Sequence, residues 1–221
     1  MIFIYGAGAR SKLILMLLKD LKIKKKIILI DNNYKKKIGL NSEDFLIKNY
    51  RYSKDEFLFG FSDPILKQKI FERLKKKIKL KILKPLISKS AIIKSKYKIG
   101  YGSIIMDKSF IGENAKIGKN CFVGIDSIIN HDTILRDFVE ISHKVKIAGN
   151  VEIDKGSYLG MGSIIVQKKK IGKNCFVGAG VLVKKNLKNK NKITLKQNII
   201  IKWIMHLLQP ERVLKVLKIK I

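Results

Sequence analysis

The sequence predicts an α/β domain followed by a parallel β-helix, and a separate pattern supports each unit. From Ile87 to Val183, every sixth residue is aliphatic without a gap. A period of six residues is typical of the short strands of a parallel β-helix. Before that region, apolar runs of strand length alternate with helical runs, which is typical of a parallel α/β sheet.

The hexapeptide pattern also predicts which residues meet. Three hexads close one triangular coil, so residues 18 positions apart stack about 4.8 Å from one another, as neighbouring strands do. The sixth-position aliphatic residue and the small residue two positions before it point inward. Glycine often follows the aliphatic residue, and we expect it to relieve backbone strain at the bend. The outward residues are therefore the candidates for function.

The N-terminal segment reads as a Rossmann-like domain. Strands are predicted at 2–5, 27–30, 57–61 and 78–84, and helices at 11–19 and about 64–77, the second capped by Ser62 or Asp63. Candidate ligand residues lie at the carboxyl ends of the strands, where parallel sheets bind nucleotides. They are Gly6, Gly8, Ala9, Arg10, Asp31, Asn32 and Gly60.

The glycine motif of this turn is incomplete. The third glycine of a dinucleotide-binding turn is replaced by Ser11, so the usual two-phosphate dinucleotide site is not predicted. A tight strand-to-helix turn without a ligand stays open as the alternative. The predicted domain boundaries are 1–84 for the α/β domain, 85–183 for the β-helix and 184–221 for a basic loop with a short helical tail.

The net charge of +31 does not predict a nucleic-acid-binding protein. Lysine accounts for most of the 48 basic residues and is spread along the whole chain, whereas phosphate and base recognition favours arginine. A positive field should nevertheless attract anionic substrates such as nucleotides or coenzyme A. A role in nucleic-acid binding would require the basic residues to cluster on one face of the protein.

The two cysteines predict buried thiols and no disulfide. Cys121 and Cys175 share one inward column three coils apart, a separation of about 14 Å, which exceeds the span of a disulfide. The start of the chain carries no signal peptide, and no apolar run is long enough to cross a membrane. We therefore expect a cytoplasmic protein. No Cys or His spacing predicts a metal site.

The tail from residue 184 onward is basic and then amphipathic. We expect it to cap the open end of the β-helix or to pack between subunits, and His206 within it reads as structural. Weak contact of a basic amphipathic helix with a membrane surface is the second interpretation.

Three residues at one predicted corner provide a set of groups suited to acyl transfer. His131 lies at a corner of the β-helix, Asp132 follows it, and Gly149 stacks on His131 one coil later. A neutral imidazole can act as a base, a carboxylate can orient it, and a bare backbone N–H can stabilise an oxyanion. His143 occupies another corner and stacks with Met161 and Ala179, a column that could line a cofactor channel or simply pack at the surface.

Residues 1–183 resemble the family of sialic acid O-acetyltransferases and nucleotide-aminosugar N-acetyltransferases. The resemblance is carried by GAGARSK, IDNN, IINHDTILRDFVEIS and IAGNVEIDKGSYLGMGSII. It implies a left-handed β-helix, a homotrimer and acetyl-CoA as co-substrate. It also implies that His131 is the general base, that Asp132 raises its basicity, and that the Gly149 N–H meets the thioester oxygen.

The same resemblance implies where the two substrates bind. Acetyl-CoA would run near Gly149, Met161 and Ala179 at a subunit boundary. The sugar nucleotide would lie on Gly8, Ala9, Arg10, Asp31 and Asn32 and reach over to His131. The chain departs from the family pattern at three places: Ala9-Arg10 replaces a glycine–histidine pair, Glu140 replaces a second histidine, and the C-terminal ending differs.

The sequence therefore predicts acetyl transfer from acetyl-CoA to the amino group of a nucleotide-linked amino sugar used for surface glycans. O-acetylation of sialic acid or a related sugar is the first alternative. A non-catalytic β-helix scaffold that binds a sugar nucleotide is an alternative of another class. The sugar, the nucleotide and any contact of Glu140 with acetyl-CoA stay open, as does the choice between a nucleotide-linked and a free sugar.

Overall fold

The computed structural model describes residues 1–31 and 40–195. Its N-terminal part contains a parallel sheet in the order β2-β1-β3, together with three helices. The strands are β1 (Ile2–Tyr5), β2 (Ile27–Ile30) and β3 (Glu56–Phe59), and the helices are α1 (Ala9–Asp20), α2 (Glu43–Asn49) and α3 (Pro64–Lys75). Asp63 caps α3 by accepting the N–H groups of Ile65 and Leu66 at 2.9 and 2.8 Å.

The prediction of a Rossmann-like domain is wrong. The described N-terminal residues form three strands, and the predicted strand at 78–84 contributes only the isolated bridge between Ile82 and Phe57. The reason lies in the alternating apolar residues of segment 78–84. Ile78, Leu80 and Ile82 pack against the apolar core around Phe57, and the chain must then turn into the first coil at Leu86. Helix α2 was not predicted.

The rest of the described chain is a β-solenoid of parallel two-residue strands. Its strands are β4 (Leu86–Ile87), β5 (Ile92–Ile93), β6 (Ile104–Ile105), β7 (Phe110–Ile111), β8 (Lys116–Ile117), β9 (Phe122–Val123), β10 (Ile128–Ile129), β11 (Ile134–Leu135), β12 (Glu140–Ile141), β13 (Lys146–Ile147), β14 (Glu152–Ile153), β15 (Tyr158–Leu159), β16 (Ile164–Ile165), β17 (Lys170–Ile171), β18 (Phe176–Val177), β19 (Leu182–Val183) and β20 (Lys192–Ile193).

These strands form three faces. The first face contains β4, β6, β9, β12, β15, β18 and β20; the second contains β5, β7, β10, β13, β16 and β19; the third contains β8, β11, β14 and β17. The register confirms the 18-residue coil, since Ile128 pairs with Lys146 and Ile134 with Glu152. The predicted helical tail lies outside the described residues. None of the described helices is long and apolar enough to cross a membrane.

The small inward residues stabilise the coils through hydrogen bonds. The Ser103 hydroxyl donates to the carbonyl of Gly118 at 2.7 Å and accepts the N–H of Cys121 at 2.9 Å. Ser157 makes the equivalent bonds to Gly172 and Cys175. Both cysteines are free and buried, as predicted, and burial raises the pKa of the Cys121 thiol to about 12.

The glycines after the aliphatic residues have a different role from the expected one. The left-handed conformation falls two residues later, at Asn114 or Asn120 for example, with φ values of 56° and 55°. Gly112 instead allows the next coil to approach, because a Cβ there would lie 2.7 Å from the backbone nitrogen of His131. These glycines therefore permit close stacking of coils.

The N-terminal part packs on the first face of the solenoid. Ile2, Ile4 and Leu58 share one apolar cluster with Ile104 and Phe122. Phe138, at the edge of the same face, joins the cluster on the other side of the N-terminal sheet. This packing brings the start of α1 close to strand β12.

Candidate active site

His131 and Asp132 form a hydrogen-bonded pair at the corner between the second and third faces. The His131 Nδ1 lies 2.8 Å from Asp132 Oδ2. The backbone of Asp132 is left-handed, with a φ of 53°. This hydrogen bond lowers the pKa of the Asp132 carboxyl. An ionised carboxylate can only accept, so Nδ1 donates and the lone pair of the neutral ring lies on Nε2.

Gly149 lies directly against the imidazole of His131. A Cβ at this position would overlap Nε2 and Cε1 of the ring, so only glycine leaves the histidine in place. Gly149 is buried under the ring, and within the described residues its N–H has no hydrogen-bond partner. The corner thus combines an oriented base with a free N–H donor, which is the chemistry that acyl transfer requires.

Substitution of Gly149 by alanine tests this arrangement. The backbone of Gly149 does not need a positive φ, so we expect the Gly149→Ala variant to fold and its Cβ to displace the His131 ring. A displacement of about 1 Å can lower turnover about 100-fold. Steady-state kinetics measures this loss.

The matched control repeats Gly149→Ala in a His131→Ala background. Without the imidazole, the added methyl group has room. Gly149→Ala should therefore lower thermal stability less in the His131→Ala background than in the wild type. Unchanged turnover in the single variant would contradict the geometry.

The turn after β1 gathers the predicted N-terminal residues. The Ala7 N–H donates to Asp31 Oδ2 at 3.0 Å, and the Ser11 hydroxyl donates to the carbonyls of Gly6 and Gly60 at 2.5 and 3.0 Å. Gly60 is buried against Ser11, so it shapes the turn. Gly8 and Ala9 are exposed and accessible to a ligand. The predicted residue Asn32 lies outside the described residues.

Arg10 is fixed on the first face of the solenoid. Its Nη1 lies 2.9 Å from Glu140 Oε2, and its Cζ lies 3.2 Å from the centre of the Phe122 ring. Lys67 binds the other oxygen, Glu140 Oε1. The Glu140 side chain is 1% exposed and the Lys67 side chain 4%. Both carboxylate oxygens are therefore engaged within the chain.

Lys67 is the residue that the sequence analysis missed. Lys67 lies in α3, where it is buried together with Ile70 and Leu74. The spacing of three and four residues among these positions places Lys67 on the apolar face. That spacing was the available signal. Ile65 of the same helix is 44% exposed.

The predicted site residues fall at two separate corners within one chain. Met161 and Ala179 stack with His143 at the corner between the first and second faces, and Arg10 contacts this side through Phe122 and Glu140. The pair of His131 and Gly149 lies at the other edge of the second face. Within the described chain, no three His, Cys, Asp or Glu side chains could hold a metal ion.

No protein-family model matches the chain, and no curated protein matches it. Solved structures do match. The acetyltransferase domain of PglB from Neisseria gonorrhoeae FA1090 is 21% identical over 84% of this chain and 92% of that one, with a TM-score of 0.74.

Two further structures share the fold. PerB from Caulobacter crescentus, in complex with CoA and GDP-perosamine, is 20% identical over 86% of this chain and 92% of that one, with a TM-score of 0.75. WeeI from Acinetobacter baumannii AYE is 22% identical over 88% of this chain and 96% of that one, with a TM-score of 0.78. At the level of fold, the predicted resemblance is confirmed.

Proposed function

We propose that the protein transfers the acetyl group of acetyl-CoA to the amino group of a nucleotide-linked amino sugar. The observation that carries this proposal is the corner of His131, Asp132 and Gly149, where an oriented imidazole packs against a glycine whose N–H has no partner within the described residues. The fold shared with PerB, solved with CoA and GDP-perosamine, and with the PglB domain, solved with acetyl coenzyme A, supports the choice of substrates.

The proposed reaction is direct transfer. The neutral amine attacks the thioester carbonyl carbon while His131 Nε2 accepts the amine proton. The Gly149 N–H stabilises the oxyanion of the tetrahedral intermediate. When the intermediate collapses, the carbon–sulfur bond breaks, and the imidazolium returns its proton to the departing thiolate. Asp132 stabilises that imidazolium, and the products are CoA and the acetamido sugar.

A homotrimer is part of this proposal. The second face presents an outward apolar column that includes the exposed side chains of Ile92, Ile164 and Leu182. Lys146 interrupts this column between Ile128 and Ile164, but exposed apolar side chains on either side of it favour contact with another copy of the chain. Such a contact would cover the face that separates the two corners. It would bring Arg10 of one copy towards His131 of the next, so that the site is complete only in the assembly.

A thiol-release assay tests the proposed function. UDP-, GDP- and CMP-linked sugars are each supplied with acetyl-CoA, once as the amino sugar and once as the matched sugar that carries only hydroxyl groups. We expect CoA release with an amino sugar and none with its hydroxyl counterpart. Release with the hydroxyl sugar alone would favour O-acetylation, and no release with any acceptor would favour the non-catalytic scaffold.

A further inference from the structure

Three ionic side chains meet where the N-terminal part joins the first face. Arg10 and Lys67 each bind one oxygen of Glu140, so two basic groups share a single carboxylate. Burial lowers the pKa of Lys67, an effect that Glu140 opposes. Within the described residues, the Arg10 guanidinium therefore shares its one carboxylate partner with a buried amine.

Phe122 fixes the orientation of both Arg10 and His143. The Arg10 guanidinium lies over its ring at 3.2 Å, and the His143 ring packs edge-on against it, with centroids 6.1 Å apart and an interplanar angle of 88°. The two side chains thus flank one buried aromatic ring, close to the exposed turn at Gly8 and Ala9.

The tautomer of His143 follows from its backbone contact. Nδ1 accepts the N–H of Ile125 at 2.9 Å, so it carries no proton. Burial, and secondarily the charge of Arg10, lower the pKa of His143 and keep the ring neutral. The one ring proton must therefore lie on Nε2. Within residues 1–31 and 40–195, Nε2 has no hydrogen-bond partner.

We propose that the His143 Nε2–H and the Arg10 guanidinium together bind the phosphate groups of the sugar nucleotide, which makes His143 a specificity-determining residue. This inference rests on the proposed function and sharpens it. A diphosphate supplies acceptors for both a neutral N–H and a fixed cation. A free amino sugar has no such anionic group, so the pair selects nucleotide-linked acceptors.

Two substitutions separate the Nε2–H from the structural role of His143. In His143→Asn, the side-chain oxygen can still accept the Ile125 N–H, but no donor remains at the position of Nε2. In His143→Gln, the longer amide can place an N–H near that position. Calorimetry on the full chain with UDP and with GDP as probes measures binding without any acetyl transfer. We expect His143→Asn to weaken binding about 10-fold and His143→Gln to recover part of it.

CoA also carries a diphosphate, so its binding to the same variants is measured by calorimetry as well. His143 shares its corner with Met161 and Ala179, so we expect CoA binding to fall by less than UDP and GDP binding in both variants. Lys173→Ala, an exposed lysine at a different corner, controls for general attraction by the basic chain and should leave binding of both probes unchanged. Equal binding of UDP and GDP by wild type and His143→Asn would overturn the proposal, as would a loss restricted to CoA or an equal loss in Lys173→Ala.

This test is independent of turnover. Weaker UDP and GDP binding in a chain that never releases CoA would support the phosphate site and contradict the proposed acetyl transfer. Acetyl transfer with unaltered KM for the sugar nucleotide in His143→Asn would support the enzyme and contradict the phosphate site. Thermal unfolding of each variant checks that the fold is retained.

Discussion

The His131→Ala variant is expected to lose CoA release from acetyl-CoA in the presence of the amino-sugar acceptor. Removal of a positioned general base typically lowers turnover about 10²- to 10⁴-fold. The imidazole is 55% exposed and packs on Gly149, so its removal should leave the solenoid core unchanged. The loss is measured as kcat in the thiol-release assay, together with the thermal unfolding midpoint.

Two controls make this result specific. Asp132→Asn removes the ionised partner of Nδ1 and should lower kcat by less than His131→Ala does, because the base remains. Lys173→Ala, at a corner between the other faces, should not alter kcat. UDP lacks the acceptor amine whose proton His131 is proposed to accept, so UDP binding to His131→Ala should match the wild type. Retained turnover in His131→Ala would refute the assignment of the base.

The Glu140→Ala variant is expected to show the largest loss of stability. It leaves Lys67 and Arg10 without the carboxylate that both of them bind in a buried site. Removing one member of a buried ion pair costs about 3–5 kcal/mol in free energy of unfolding. Urea titration followed by circular dichroism measures the loss. We also expect weaker binding of UDP and GDP, since Arg10 loses its anchor.

Glu152 provides a matched control for this prediction. It begins strand β14 as Glu140 begins β12, and it pairs with Arg136 at 2.7 Å. That pair is at the surface, with side-chain exposed fractions of 33% for Glu152 and 54% for Arg136. Exposed pairs contribute about 0–1 kcal/mol, so Glu152→Ala should unfold almost as the wild type does. Equal losses of stability in Glu140→Ala and Glu152→Ala would show that the burial of Arg10, Lys67 and Glu140 contributes nothing.

The solenoid could be predicted from the sequence in detail because its contacts repeat at a fixed separation. Once the period of six residues is known, every stacked pair follows, including Gly149 on His131. The same arithmetic correctly predicted two free buried cysteines. The expected role of the glycines was wrong, because the spacing shows that glycine is needed at the bend but cannot show whether conformation or close approach requires it.

The N-terminal part was less predictable. Strands β1 and β2 were predicted with the bounds found in the structure. The prediction of a fourth strand at 78–84 was wrong because an alternating apolar pattern shows only that one side of a segment is buried. This segment buries its apolar side without pairing along a sheet. The burial of Lys67 could have been inferred from its spacing, but its partner could not.

The sequence by itself determined the coil register and therefore the candidate catalytic corner, because neighbouring coils place residues together at a constant interval along the chain. Only the tertiary structure decided how the N-terminal part docks on the first face. That docking depends on Arg10 and Lys67 meeting Glu140, pairs that lie 130 and 73 positions apart. No local period relates such residues. Shape and charge complementarity between two separately formed surfaces determine their contact, and with it the packing of Arg10 and His143 on the same ring of Phe122.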